Sequence, residues 1–201
     1  MIYSVAGKLI HTEPSLAVVE CAGVGYACRT TQTTLSALGG IGSDVRLFTH
    51  MSVREDAVEL FGFATQDELN CFRMLITVSG IGPKVAIGIL SDLTPNRFAL
   101  LVASGDAASL TKCRGVGKKS AERIVVDLKD KLIKENPVMP AGNGISAAAS
   151  ADGFSEALAA LLVLGYRQGE VAPVLAGLEE TLPAEEMIRL TLKEMGRRKD
   201  A

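Results

Sequence analysis

Gly80-Ile81-Gly82-Pro83-Lys84-Val85-Ala86 recurs 35 residues later as Gly115-Val116-Gly117-Lys118-Lys119-Ser120-Ala121, and Asp92-Leu93 returns as Asp127-Leu128 at the same offset. Self-similarity at a fixed spacing marks a duplicated supersecondary unit. Each copy follows an apolar helical segment and opens another, so the unit reads helix, Gly-hydrophobic-Gly hairpin, helix. Two glycines one residue apart let the backbone turn sharply and come close to a ligand. The helix that follows presents unpaired N–H groups and the positive end of its dipole, which suits an anion. An alanine at the fourth position after the second glycine, Ala86 or Ala121, permits close helix packing.

This is the helix-hairpin-helix pattern, in which main-chain nitrogens hold a DNA phosphate without reading bases. Lys84, Lys118 and Lys119 fall in the first predicted helical turn, where a cation opposes the helix dipole. Phosphates facing them resolve that conflict. Two glycine-rich turns in an ordinary helical bundle explain neither the repeat nor the lysines. Gly117-Lys118-Lys119-Ser120 is superficially like a P-loop, but Lys112 stands where the first glycine of that motif belongs, and the segment lies in a helical repeat.

Charge is segregated around the repeat. The whole chain of 201 residues has 21 Lys+Arg, 23 Asp+Glu and a formal charge of −2, which argues against a uniformly basic nucleic-acid coat or a membrane-surface protein. Residues 1–63 carry 4 basic and 6 acidic side chains, residues 64–135 carry 11 and 8, and residues 136–201 carry 6 and 9. The basic excess sits in the middle, where Lys112, Arg114, Lys118, Lys119 and Arg123 face a single acid, Glu122, within twelve residues. A partner with phosphates docks there first.

Upstream of the repeat the pattern is that of strands. Ile2 to Thr12, Ser15 to Cys21, Tyr26 to Thr30, Val45 to Val53 and Ala57 to Phe63 are the five candidates, with Gly23 and Gly25 bracketing a bend. Thr31 to Leu38 makes a short helix, ended by the Gly39-Gly40-x-Gly42 cluster. Five strands with an interposed helix suggest an oligonucleotide/oligosaccharide-binding (OB-fold) barrel; a small barrel without a ligand fits the pattern equally. From Gln66 the period becomes helical, with Leu69, Phe72, Leu75 and Ile76 as an apolar stripe.

Downstream, residues 136–152 (NPVMPAGNGISAAASAD) carry one charge and are mostly Ala, Gly, Ser, Pro and Asn, a composition that builds no core and predicts a flexible linker. As a random coil it spans about 20–25 Å root-mean-square. Residues 153–201 read as three helical segments, separated at Leu164-Gly165-Tyr166 and Thr181-Leu182-Pro183, with helix starts near Ser155 and Pro183. Ala157, Leu158, Leu161, Leu162, Val174, Leu175, Leu178, Ile188, Leu190 and Leu192 supply one minimal core. A tethered bundle of this size is usually a docking module.

Other classes find less support. The opening MIYSVAGKLIHTE alternates like a strand and predicts no signal peptide, and no run of about 18 apolar residues predicts a membrane span. Cys21, Cys28, Cys71 and Cys113 are scattered, without metal-ligand spacing, and read as reduced core thiols. No metal and no cofactor are expected. The competing class is an enzyme such as a DNA glycosylase, which needs a nucleophilic Lys or a positioned Asp in a base-sized pocket after the hairpin. Asp127 and Asp130 follow the second hairpin, but beside Lys129 and Lys131 they read as a solvated face. His11 and His50 both fall in predicted strands.

Barrel, tandem helix-hairpin-helix domain, loose linker and three-helix tail, in this order, resemble the RuvA family of Holliday-junction branch-migration proteins along nearly the whole chain. Local strings sharpen the likeness: Gly23-Val24-Gly25-Tyr26, Phe48-Thr49-His50, Val53-Arg54-Glu55-Asp56-Ala57, Leu60-Phe61-Gly62-Phe63, both hairpins through Glu122-Arg123, and Leu164-Gly165-Tyr166. The resemblance implies a multi-domain α+β chain. It has an OB-fold barrel at 1–63, a helix-hairpin-helix domain at 64–135, the linker at 136–152 and a UBA-like three-helix bundle at 153–201.

It also implies a non-catalytic, cytoplasmic subunit that binds four-way junction DNA as a homotetramer, in some members as two tetramers enclosing the junction. Ser79, Gly80, Gly82 and Lys84, with Gly115, Gly117, Lys118, Lys119 and Arg123, would hold the duplex arms by their phosphates. Glu55 and Asp56 would form an acidic pin at the four-fold centre, with Arg54 beside them on the DNA backbone. Four such turns gather about eight carboxylates, whose field still acts across a Debye length of about 8 Å. Without the resemblance, Arg54-Glu55-Asp56 is an ordinary charged hairpin tip. The tail would dock the hexameric AAA+ motor RuvB, which supplies ATP hydrolysis. Leu161, Leu164 and Tyr166 are the candidates, equally suited to bundle core. The junction resolvase RuvC would join the same complex. Ser79 stands where close relatives are expected to carry Asn, and Arg197-Arg198-Lys199 fits a solvated terminus or an extra contact.

Overall fold

Strand β1 (Ser4–Glu13) is long enough to serve two neighbours, and it bends to do so. Its first half, Ser4 to Lys8, pairs antiparallel with β4 (Asp44–Val53), and its second half pairs with β2 (Leu16–Cys21). The register shifts between Leu9 and His11, a bulge that adds the local bend a closing sheet requires. These assignments come from a computed structural model, which describes residues 1–135, 153–179 and 181–199, with side chains described outside 130–135 and 198–199. The expected linker, residues 136–152, lies outside the described residues.

Strands β3 (Val24–Arg29) and β5 (Val58–Phe63) complete a closed five-stranded barrel in the order β1-β2-β3-β5-β4. Closure is made by a short parallel pairing, Cys28 with Leu60 and Arg29 with Phe61. Helix α1 (Gln32–Ala37) lies between β3 and β4 in sequence, capped by the Thr31 hydroxyl on the Thr34 N–H at 2.9 Å. This is the OB-fold arrangement expected from the strand pattern. One detail differs. Gly25 lies inside β3, paired with Glu20, and the bend is the two-residue turn Ala22-Gly23, with φ of 50° and 83°. Both central residues of such a hairpin turn need positive φ, so Ala22 takes the place expected of a glycine. Val5, Leu9, Ala17, Val19, Cys28 and Leu47 fill the barrel.

Helices α2 (Gln66–Ile76) and α3 (Pro83–Asp92) follow β5 directly. Leu69, Phe72 and Leu75 of the expected stripe are fully buried. Phe72 packs against Phe63 and Phe61 with ring centroids 4.9 and 5.0 Å apart, each contact worth about 0.5–1.5 kcal/mol beyond area burial. The chain divides into two compact units: Met1–Pro95 with Cys113–Val116, and Asn96–Lys112 with Gly117–Ala201. Barrel, α2 and α3 thus share a unit, although periodicity changes near residue 64.

The second unit holds α4 (Pro95–Ser104) beyond its first residue, α5 (Ala107–Leu110), α6 (Lys118–Glu135) and the tail helices α7 (Gly153–Val163), α8 (Gln168–Leu175) and α9 (Ala184–Lys199). Asp106 caps α5, accepting from the Ser109 N–H at 2.9 Å and the Ser109 hydroxyl at 2.6 Å, which lowers its pKa. The tail helices close around Leu161, Val171, Leu175, Met187 and Ile188, all almost fully buried. The four cysteines are free thiols, three of them buried, and burial pushes Cys28 up to about 12.

Candidate nucleic-acid interface

The first hairpin begins where α2 stops. The Val78 N–H reaches back to the Leu75 carbonyl at 3.0 Å, and the Ile81 N–H to the Val78 carbonyl at 3.0 Å. Gly80 completes the reversal at φ 86°, a backbone region that costs an L-residue about 1–2 kcal/mol. Gly82 then caps α3 with its carbonyl, which accepts from the Val85 and Ala86 N–H groups at 3.0 Å. No side chain caps this helix start. A Cβ placed on Gly82 meets nothing within 4 Å, so space for a ligand oxygen lies directly against the main chain. Ile81, only 5% exposed, anchors the turn from beneath, while Ser79, Gly80, Gly82 and Lys84 are exposed above it.

The second hairpin repeats the bond that closes the turn and the bond that opens the helix. The Val116 N–H donates to the Cys113 carbonyl at 3.2 Å, Gly115 sits at φ 83°, and the Ala121 N–H donates to the Gly117 carbonyl at 2.9 Å. Val116 is 6% exposed, matching Ile81, and Ala86 and Ala121 are both fully buried. A Cβ on Gly117 also meets open space. Lys118, Lys119 and Arg123 are exposed along the start of α6, and neither α3 nor α6 has an acid in its first turn. Two helix N-termini with lysines and no acid in their first turns are arranged to receive anions.

The turn of the second hairpin is seated on α3. Asp92 Oδ2 accepts the Arg114 N–H at 2.9 Å. A Cβ on Gly88 would stand 3.0 Å from the Arg114 carbonyl oxygen, and one on Gly115 would stand 3.9 Å from Val85 Cγ2. In the sequence Asp92 stands out only as half of a repeated Asp-Leu pair, and nothing marks Gly88.

The first hairpin is fixed to the barrel through Glu68, which is 2% exposed. Its carboxylate accepts the hydroxyls of Thr31 and Thr34, the latter at 2.6 Å, while the Ala64 N–H donates to Thr34 Oγ1 at 2.9 Å. Burial raises the Glu68 pKa, and the hydrogen bonds from Thr31, Thr34 and Ala64 oppose that rise. Thr33 Oγ1 donates to the Leu90 carbonyl at 2.9 Å and the Gln32 N–H to Ser91 Oγ at 3.1 Å, tying α1 to α3. His50 stacks edge-on to Phe72 at 5.6 Å, and burial, with Arg73 nearby, lowers its pKa.

Arg54, Glu55 and Asp56 form the exposed tip of the β4–β5 hairpin. The Arg54 N–H donates to the Ala57 carbonyl at 2.8 Å, closing the tip above the last register pair, Val53 with Val58. In the tail, Leu161 and Leu164 have no exposed surface and Tyr166 is half-buried. A groove of about 420 Å³ between α8 and α9 is lined by residues including Val174, Leu178, Leu190, Lys193 and Arg197. Arg197 reaches Glu194 at 3.4 Å, and the side chains from residue 198 onward lie outside the described residues. Lys129 departs from the expected solvated face. It is half-buried with its ammonium 3.0 Å from where a Gly105 Cβ would stand, and burial lowers its pKa.

Comparison with known proteins covers each part of the chain. A family model described as RuvA N terminal domain matches residues 1–62, one described as SAM-like helix-hairpin-helix tandem matches 72–130, and one described as RuvA, C-terminal domain matches 152–196. Relatives named Holliday junction branch migration complex subunit RuvA include one from Acetivibrio thermocellus, 40% identical over 98% of this chain and 100% of its own length. Another, from Marinobacter nauticus, is 42% identical over 97% of this chain and 98% of its own. A third, from Acidobacterium capsulatum, is 47% identical over 84% and 83%.

Proposed function

Because this chain belongs to the RuvA family of Holliday junction branch migration complex subunits, we propose that it binds four-way junction DNA by structure and recruits an ATP-driven motor. The observation that carries the reading is the hairpin built twice, with the same turn-closing and helix-opening bonds, each turn leading into a lysine-bearing helix start. Such a device meets phosphates and leaves bases unread, so sequence-independent binding follows from it. Selectivity then has to come from geometry.

Glu55 and Asp56 are the residues for that task. On a four-fold assembly of this chain their tips meet at the strand crossover, where carboxylates repel phosphates and part the strands. Arg54 beside them takes a neighbouring phosphate. One tetramer, or two closing on the junction, holds the arms open and nearly square. The three-helix tail docks the AAA+ motor RuvB in the cytoplasm, and the resolvase RuvC acts on the same assembly. Leu161 and Leu164 serve this contact by shaping the bundle from within, and Tyr166 by its exposed edge. The chain itself catalyses nothing; ATP hydrolysis is the motor's.

The deciding experiment is a gel shift of a four-way junction against linear duplex of the same arm sequence, with competitor DNA and at stated salt. Retention of the junction at competitor levels that strip the duplex is the expected result. Equal affinity for both would sink the reading.

A further inference from the structure

The two copies of the repeat are not equivalent where the second hairpin meets the first. Thirty-five residues separate Gly88 from Arg123 and Ser79 from Arg114, so a glycine in the first copy stands where the second has an exposed arginine. The reason lies at Gly88, where any side chain would press on the Arg114 carbonyl 3.0 Å away. One turn further along the same face of α3, Asp92 takes the Arg114 N–H at 2.9 Å. The N–H and the carbonyl of Arg114 therefore both lie against α3, the first hydrogen-bonded to Asp92 and the second in close approach to Gly88. Residues 113–116 pack with the first compact unit, although the chain on both sides of them belongs to the second.

Asp92 is otherwise out of place. It is an exposed carboxylate beside main chain that phosphates would approach, and on charge alone it weakens their attraction. What it supplies instead is a charge-assisted hydrogen bond to a backbone N–H.

We propose that Asp92 is a positioning residue for DNA binding: through the Arg114 N–H it fixes the second Gly-hydrophobic-Gly turn on the helix that the first turn opens. The second turn then meets a phosphate with its main chain already oriented. This deepens the reading of the hairpins as phosphate-binding turns and rests on it. A turn already held in its binding conformation loses less freedom on binding.

The test uses the full-length chain as wild type, D92A and D92N, titrated against four-way junction and against linear duplex at two salt concentrations. Hydrogen exchange at the Arg114 amide is followed in parallel. D92A is expected to bind both DNAs about three- to tenfold more weakly, a part of what one charge-assisted hydrogen bond can carry. Its salt dependence should be shallower, because one phosphate contact is held less of the time. The Arg114 amide should exchange faster. D92N keeps an acceptor oxygen and is expected within about twofold of wild type. Binding by D92A equal to or tighter than wild type, an unchanged Arg114 exchange rate, or a loss that D92N fails to restore overturns the proposal. If the wild type shows no junction preference, the junction reading falls alone, because the duplex titration still decides the role of Asp92.

Discussion

Glu68 of α2 and Thr34 of α1 share a hydrogen bond of 2.6 Å with both side chains buried. The bond crosses from the barrel to the helix that carries the first hairpin, so the attitude of that hairpin is set by a buried polar contact.

Replacing Glu68 by Ala leaves the Thr31 and Thr34 hydroxyls without their acceptor and should cost about 2–3 kcal/mol of stability by chemical denaturation. The pH dependence follows from the direction of the Glu68 shift. Its pKa is raised from 4.5 in the fold, so its contribution is full below the unfolded value and is lost as pH rises through the folded one. Melting temperature of the wild type relative to Glu68→Gln should therefore fall with rising pH across that window. A flat difference would contradict the assignment.

A Cβ at Gly115 has only an ordinary contact at 3.9 Å, yet φ is 86° at Gly80 and 83° at Gly115, so Gly80→Ala and Gly115→Ala both place an L-residue in the left-handed region. Each should destabilise by about 1–2 kcal/mol and weaken DNA binding by tilting the turn. Calorimetry and anisotropy titration measure the two effects on the same samples.

Lys119→Gln should lower affinity for every DNA alike and reduce the slope of log K against log salt by about 1. A change confined to one sequence would mean that the lysine reads bases.

Glu55→Gln with Asp56→Asn removes the negative tip without altering the Arg54 to Ala57 closure of 2.8 Å. Binding to plain duplex should rise. Unchanged discrimination between junction and duplex would count against the acidic pin.

Truncation after Pro140 should leave junction binding in place and abolish stimulation of the motor's ATPase. A truncated chain that still stimulates would refute the docking role of the tail.

The barrel, both hairpins and the helical tail were legible because each is written in local terms: strand alternation, glycine spacing and helical period. The seat of the second hairpin was not. Asp92 and Gly88 act on Arg114, more than twenty residues away, and only the fold brings that peptide to α3. Glu68 shows a different limit. Thr65-Gln66-Asp67-Glu68 has the spacing of a capping box, and Thr65 does cap the helix at the Glu68 N–H, 3.2 Å away. The carboxylate turns away from that cap toward α1, because Thr31 and Thr34 are buried there and need an acceptor. The bend before β3 misled for a local reason, since Ala22 accepts a left-handed backbone that composition assigns to glycine.

Strand β5 runs from the charged tip to the start of α2 without a break other than Ala64-Thr65. A pull on the tip along the strand axis draws on β4 and β5 together, and is resisted in shear by the pairs that hold β4 to β1, from Ser4 with Phe48 to Lys8 with Asp44, and β5 to β3, at Cys28 with Leu60 and Arg29 with Phe61. Peeling the same strands apart sideways would open the pairs one after another. A load borne at the charged tip therefore meets the barrel as a tension member, along its strong direction.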